Sequence, residues 1–126
     1  MDSGDRREQI LIVDDTKLGR LSTRKLLEKF GFSRCEEASC GTDALQKIRE
    51  GSFDAVFLDI LMPDISGLEV LTQLKGMKPA IHVIIVSADI QKTTRERCLA
   101  AGARAFINKP IRGEDLQPVL QGLGLL

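Results

Sequence analysis

Four stretches of this 126-residue chain end in groups that can do chemistry. Residues 10–13 run into Asp14 and Asp15, and residues 55–58 run into Asp59. Residues 81–86 run into Ser87 and Ala88, and residues 104–107 into Asn108 and Lys109. Three carboxylates brought together repel one another, so such a site either raises a pKa or binds a cation. Hard oxygen ligands with room left for water suit Mg²⁺ better than a softer metal. A carboxylate-held Mg²⁺ with an ammonium and a hydroxyl beside it is equipped to stabilise a phosphoryl group in transfer. One carboxylate can itself be the nucleophile, as in enzymes that form an aspartyl phosphate. Asp59 is the candidate, because it stands alone at a strand end, whereas Asp14 and Asp15 are paired as a metal platform requires. Taken singly, each of these residues is an ordinary cap, turn former or surface charge. Their joint placement carries the reading.

That placement depends on the elements around them. Residues 10–13, 55–58 and 81–86 are almost purely apolar and β-branched, broken only by His82, and read as strands covered on both faces. Residues 35–38 and 104–107 are shorter or mixed with charge and read as sheet edges. Helical spacing separates them: Leu18, Leu21, Leu26 and Phe30; Ala44, Leu45 and Ile48; Leu68, Leu71 and Leu74; Cys98, Leu99 and Ala101; and Leu116, Val119 and Leu120. Gly31, Gly51, Gly76 and Gly102 fall where helices should end. Ser66 with Glu69, and Thr93 with Glu96, have capping-box spacing. Five βα units imply an α/β fold with a doubly wound, five-stranded parallel sheet. Right-handed crossovers and the purity of the runs favour strand order 2-1-3-4-5, the flavodoxin-like (βα)5 arrangement. The ligand crevice of such a sheet lies beyond the strands' carboxyl ends, between the first and third strands.

Composition narrows the function. Eighteen Lys plus Arg balance 18 Asp plus Glu, which argues against direct nucleic-acid binding, since that affinity needs a clustered basic excess. The five aromatic residues are all Phe, leaving no Trp or Tyr to stack bases or line a membrane interface. The apolar runs are too short to span a bilayer, and the polar first nine residues cannot be a secretory signal. Cys35, Cys40 and Cys98 form no CxxC pair and point to a reduced, cytoplasmic setting. The length fits one domain over residues 1–126, with about the first eight residues loose.

With these spacings, ILIVDD, AVFLDILMPDISGLE, VIIVSA and AFINKP together resemble the receiver domain of two-component response regulators, the stand-alone chemotaxis type in particular. The resemblance runs from Ile10 to about Leu120. It implies that Asp59 accepts a phosphoryl group from the phosphohistidine of a sensor histidine kinase or a histidine phosphotransfer protein. Asp14, Asp15, Asp59 and the backbone carbonyl of Leu61 would hold Mg²⁺. Lys109 would pair with the carboxylate and then the phosphoryl oxygens, and Ser87 would hydrogen-bond the phosphoryl group. Phe106 stands at the aromatic switch position and turns inward as Ser87 moves. Ala88, Asp89 and Pro110 neighbour the phosphate, and the bond before Pro110 would be cis. Met62, Pro63 and Gly67 match the loop after the phosphoacceptor.

The implied output is a changed surface on the fourth helix, fifth strand and fifth helix, read by a downstream protein. A phosphatase is a further implied partner. The chain would assist its own phosphorylation and dephosphorylation without turning over an external substrate. Leu61 is apolar where, with Asp89, it flanks the path of attacking water, which predicts a slowly lost phosphate. Three other readings fit less well. A flavin-binding module needs a donor-rich phosphate loop, but DDTKLG carries two carboxylates. An aspartyl-phosphate hydrolase needs a general acid where Leu61 stands. A phosphorylation-independent scaffold would not need every one of these positions filled. His82 reads as a core or strand-edge residue, without a second His or Cys to complete a metal set. No output domain follows the last helix, so the chain reads as a stand-alone regulator or as one part of a longer protein.

Overall fold

The computed structural model describes residues 6–126. Among them, five strands and five helices alternate in chain order. These are β1 (Arg6–Val13), α1 (Lys17–Lys29), β2 (Phe32–Ala38), α2 (Gly41–Glu50) and β3 (Ala55–Leu58). There follow α3 (Gly67–Met77), β4 (His82–Ser87), α4 (Lys92–Ala100), β5 (Ala105–Asn108) and α5 (Gly113–Gly122). Every strand pair is parallel and the order is β2-β1-β3-β4-β5, the arrangement the sequence predicts.

The pure apolar runs are central because parallel strands covered by helices bury both faces. Leu11, Val13, Val56, Leu58, Val83 and Ile85 join one core with α2, α3 and α4. Their neighbours Ile10, Ile12, Phe57, Ile84 and Val86 join a second core with α1 and α5. Each fully buried Leu, Ile, Val or Phe contributes about 1.5–3 kcal/mol relative to exposure, so the two cores carry the fold without a staple.

Several boundaries differ from the sequence reading. Arg6, Arg7 and Glu8, expected to be loose, belong to β1, with Arg6 paired to Phe32 across a register shift before Gln9. The rest of that expected loose segment lies outside the described residues. β2 starts at Phe32 rather than Cys35. Gly31 and Gly102 take the expected left-handed φ of 92° and 110°, but Gly51 is extended and Gly76 lies inside α3. Ser66 caps α3 as expected, accepting from the Glu69 amide at 3.2 Å. The Thr93 to Glu96 box does not form, since α4 begins after Gln91 and places Thr93 within its first turn.

The edge strand β2 is fastened to α1 by Glu37, whose carboxylate accepts from Arg20 Nε at 2.9 Å and Arg24 Nε at 2.7 Å. Burial pushes the Glu37 carboxyl up, but the two guanidinium groups outweigh it and hold the group below its ordinary range. A depressed folded-state pKa stabilises at pH values above the unfolded-state pKa, and this stability is lost as pH falls through the folded value. Glu37→Gln should therefore cost about 0.5–1 kcal/mol at pH 7, kept small by solvent screening of a partly exposed pair. Thermal melts of the two proteins should converge once the pH falls below the Glu37 folded pKa, under the ordinary carboxylate range.

Candidate functional site

The crevice at the carboxyl ends of β1, β3, β4 and β5 collects the residues the sequence singled out. Asp14 and Asp59 follow β1 and β3 directly and are almost fully buried, with 4% and 6% exposure. The Asp59 amide donates to the Val13 carbonyl at 3.0 Å, so the two strand ends advance in step. Lys109 follows β5, its amide held by the Ser87 carbonyl at 2.8 Å. Its ammonium donates to Asp14 Oδ2 and to Asp59 Oδ2, each at 2.8 Å. One cation thus bridges the two buried carboxylates.

The remaining valences are specific. Asp14 Oδ1 accepts from both the amide and the hydroxyl of Thr16 at 2.9 Å, and the same hydroxyl caps α1 by accepting from the Gly19 amide at 3.1 Å. Asp59 Oδ1 accepts from the Leu61 amide at 3.1 Å. Asp15 is exposed at the rim, and one oxygen from each of Asp14, Asp15 and Asp59 lies within 4.8 Å of the others. The open cleft beside them, about 460 Å³, is lined by Asp15, Thr16, Asp59, Leu61, Met62, Pro63, Ala88 and Lys109.

Burial alone would raise the Asp14 carboxyl, but the Lys109 ammonium and the Thr16 donors outweigh it and keep the group below its ordinary value. Burial likewise pulls Lys109 down, and the two carboxylates more than reverse this. Both groups are held charged. Three carboxylates against one ammonium leave the cluster about two charges negative, and its donors are all hard oxygens. That donor set fits a hard cation such as Mg²⁺.

Ser87 is fully buried at the end of β4, and its Oγ accepts from the Asp89 amide at 3.1 Å. Asp89 faces α4, its carboxylate accepting from the Gln91 amide at 2.9 Å and the Thr94 hydroxyl at 2.7 Å. Phe106 is buried on the α4 side of the sheet, with the Arg95 guanidinium carbon 6.0 Å from its ring centre. The peptide bond before Pro110 is cis. Leu61 is 65% exposed over the cleft. His82 is at the opposite end of the sheet, and all three cysteines are free.

Two positioning glycines act by close approach. A Cβ on Gly19 would lie 2.2 Å from Asp14 Oδ2, so the acidic group rests directly on the first turns of α1. A Cβ on Gly67 would lie 2.3 Å from the Asp59 carbonyl oxygen and 2.6 Å from Ile60 Cα. The absence of a side chain at Gly67 lets the start of α3 touch the end of β3. Gly19 carries no sequence signal of its own, because nothing local announces that Asp14 folds back over it.

A doubly wound parallel sheet with this order, and an acidic crevice bridged by a lysine at its switch point, defines a phosphoacceptor class of α/β protein. The family model described as the response regulator receiver domain matches residues 10–121, and the chain belongs to that family. It is 42% identical over 101 residues to a transcriptional regulator of Pseudomonas aeruginosa, covering 80% of this chain and 49% of that protein. The chain thus spans about half the length of that relative. It is 36% identical to the chemotaxis protein CheY of Bacillus subtilis, with 84% of this chain and 88% of that one covered. A CheY-like receiver from Methanospirillum hungatei superposes with a TM-score of 0.85 at 32% identity, covering 93% of this chain and 94% of that one.

The chain is thus a receiver domain of two-component signalling, and its membership favours the phosphoacceptor reading over the flavin-binding and scaffold alternatives. Membership implies interaction with histidine kinases and with downstream targets. Among the described residues, no helix is long and apolar enough to cross a membrane.

Proposed function

We propose that Asp59 is the phosphoacceptor, taking its phosphoryl group from the phosphohistidine of a sensor histidine kinase or histidine phosphotransfer protein in the cytoplasm. The supporting observation is the Lys109 bridge, which fixes the Asp59 carboxylate at the floor of an open acidic cleft. The carboxylate oxygen forms the new bond to phosphorus as the bond from phosphorus to imidazole nitrogen breaks, and the electron pair leaves with the imidazole. Asp14, Asp15, Asp59 and the Leu61 carbonyl would hold Mg²⁺, which when bound offsets the negative charge of the incoming phosphoryl group. Lys109 orients Asp59 beforehand and pairs with phosphoryl oxygens afterwards.

Ser87 already accepts from Asp89, so its own proton is free to be donated to the phosphoryl group. Moving that hydroxyl draws on the β4–α4 segment and on Phe106, and changes the α4, β5 and α5 surface presented to a downstream protein. The acceptor is the protein's own side chain, so one event changes one molecule and no external substrate turns over. A phosphatase would reset the switch. Incubating the chain with Mg²⁺ and acetyl phosphate should give a single hydroxylamine-labile phosphorylation. Failure to label at any Mg²⁺ concentration would overturn the reading.

Leu61 sets the lifetime of the product. An exposed apolar side chain beside the phosphoryl group offers attacking water no hydrogen bond, whereas an amide does. One such bond is worth about 0.5–1.5 kcal/mol, so Leu61→Asn should speed phosphate loss roughly 3- to 10-fold. Following decay of the labelled protein after removal of the donor measures this.

A further inference from the structure

The loop between β3 and α3 carries Leu61, and the middle of that loop is fastened to a helix from a different part of the chain. Asp64 is exposed, yet its carboxylate accepts from the Gly41 amide at 3.0 Å, the Thr42 amide at 2.8 Å and the Thr42 hydroxyl at 2.5 Å. These donors form the first turn of α2, whose own N-cap residue, Cys40, supplies no side-chain bond. The next loop residue, Ile65, packs so closely on Gly41 that a Cβ there would lie 2.4 Å from Ile65 Cγ1. Helix α2 therefore lacks both a local cap and a first side chain, and residues 64 and 65 occupy the space. At its ends the loop is held by the Leu61 amide on Asp59 and the Gly67 amide on the Ile60 carbonyl at 2.7 Å. Among the hydrogen bonds of the described residues, Asp64 ties the stretch between those two anchors to the rest of the fold.

We propose that Asp64 is a positioning residue for the phosphoacceptor site, seating the loop on α2 so that the Leu61 carbonyl is held ready for Mg²⁺. The proposal rests on the reading of this crevice as a Mg²⁺-dependent phosphoacceptor. The competing role is that of a helix cap alone, worth stability but nothing to the metal. Cap and tether separate cleanly here, because Cys40 has the extended backbone of an N-cap and a serine there can cap α2 locally.

The test compares wild type, Asp64→Ala, Asp64→Asn and the double variant Cys40→Ser with Asp64→Ala. Each is measured by thermal melting, by calorimetric titration of the unphosphorylated protein with Mg²⁺, and by labelling rate against Mg²⁺ concentration. Asp64→Ala should weaken Mg²⁺ binding by about 5- to 10-fold, the scale of one or two lost hydrogen bonds. Half-saturation of labelling should move in parallel, while the rate at saturating Mg²⁺ stays within about twofold. Asp64→Asn, keeping one acceptor oxygen, should fall between. The double variant should regain the melting temperature and not the Mg²⁺ affinity. Unchanged Mg²⁺ affinity in Asp64→Ala, or its full recovery in the double variant, would sink the proposal. Absent labelling of wild type would instead count against the phosphoacceptor reading, since the calorimetric titration judges Asp64 without it.

Discussion

With Asn in place of Asp59, Mg²⁺-dependent labelling should drop to background while the protein melts at the same temperature as wild type or higher. The first half follows from nucleophilicity: an amide oxygen at the floor of the cleft has the shape of the carboxylate without its charge. The second half follows from the cluster's electrostatics. Asp14, Asp15 and Asp59 share a site with one ammonium, and their repulsion is a strain on the fold in the absence of a cation. Removing one charge relieves it, and Lys109 keeps Asp14 as a partner. Functional sites often hold such locally unfavourable arrangements, so loss of activity without loss of stability is the signature to look for. Intact-mass measurement after donor treatment, paired with a thermal melt, reads both halves. Undiminished labelling of Asp59→Asn would put the acceptor elsewhere.

A second large effect is expected at Gly67. In Gly67→Ala the new methyl group would meet the Asp59 carbonyl oxygen at 2.3 Å and Ile60 Cα at 2.6 Å. Both are backbone, so no side chain can rotate away, and either α3 or the end of β3 must shift. Overpacking of this kind costs typically 1–3 kcal/mol, and rigid backbone on the far side places this case near the upper figure. For a domain of this size the melting temperature should fall by roughly 10 °C. Because the Asp59 carbonyl is among the displaced groups, labelling at the proposed acceptor should slow as well, by up to about 10²-fold for a shift near 1 Å. Gly76→Ala in the same helix is the control. Nothing lies within 4 Å of its new Cβ, and Ala is the better helix former, so it should gain about 0.5–1 kcal/mol. Equal melting temperatures for the two variants would refute the close-approach account.

The contrast between these two glycines also marks what could be read from the chain beforehand. Strands buried on both faces write themselves as unbroken apolar runs, which is why β1, β3 and β4 and the groups at their ends, Asp14, Asp59 and Ser87, were legible. The order of the sheet followed from the same runs. β2 was legible only in its second half, because an edge strand is polar wherever it meets water, and Ser33 and Arg34 look like a loop. The polar start of β1 was hidden for the same reason: Arg6 and Gln9 pair with β2 but lie beyond the core. The Thr93 box failed because α4 starts earlier than the pattern assumes, after Gln91, next to an Asp89 carboxylate that accepts from the Gln91 amide and the Thr94 hydroxyl. Gly19 and Asp64 left no trace, since their importance lies in contacts between elements whose pairing only the folded chain defines.

The two hydrophobic cores have a consequence for how the domain can change over time. Phe106 lies with α2, α3 and α4, while α1 and α5 close the opposite face with a separate set of residues. The sheet is a party wall between two rooms. Substitutions that repack the α1 and α5 side have few shared neighbours with the Phe106 ring, and distant sites of that kind combine nearly additively. One room can be refurnished while the other keeps its packing, so the residues on the two faces of this small domain can vary independently.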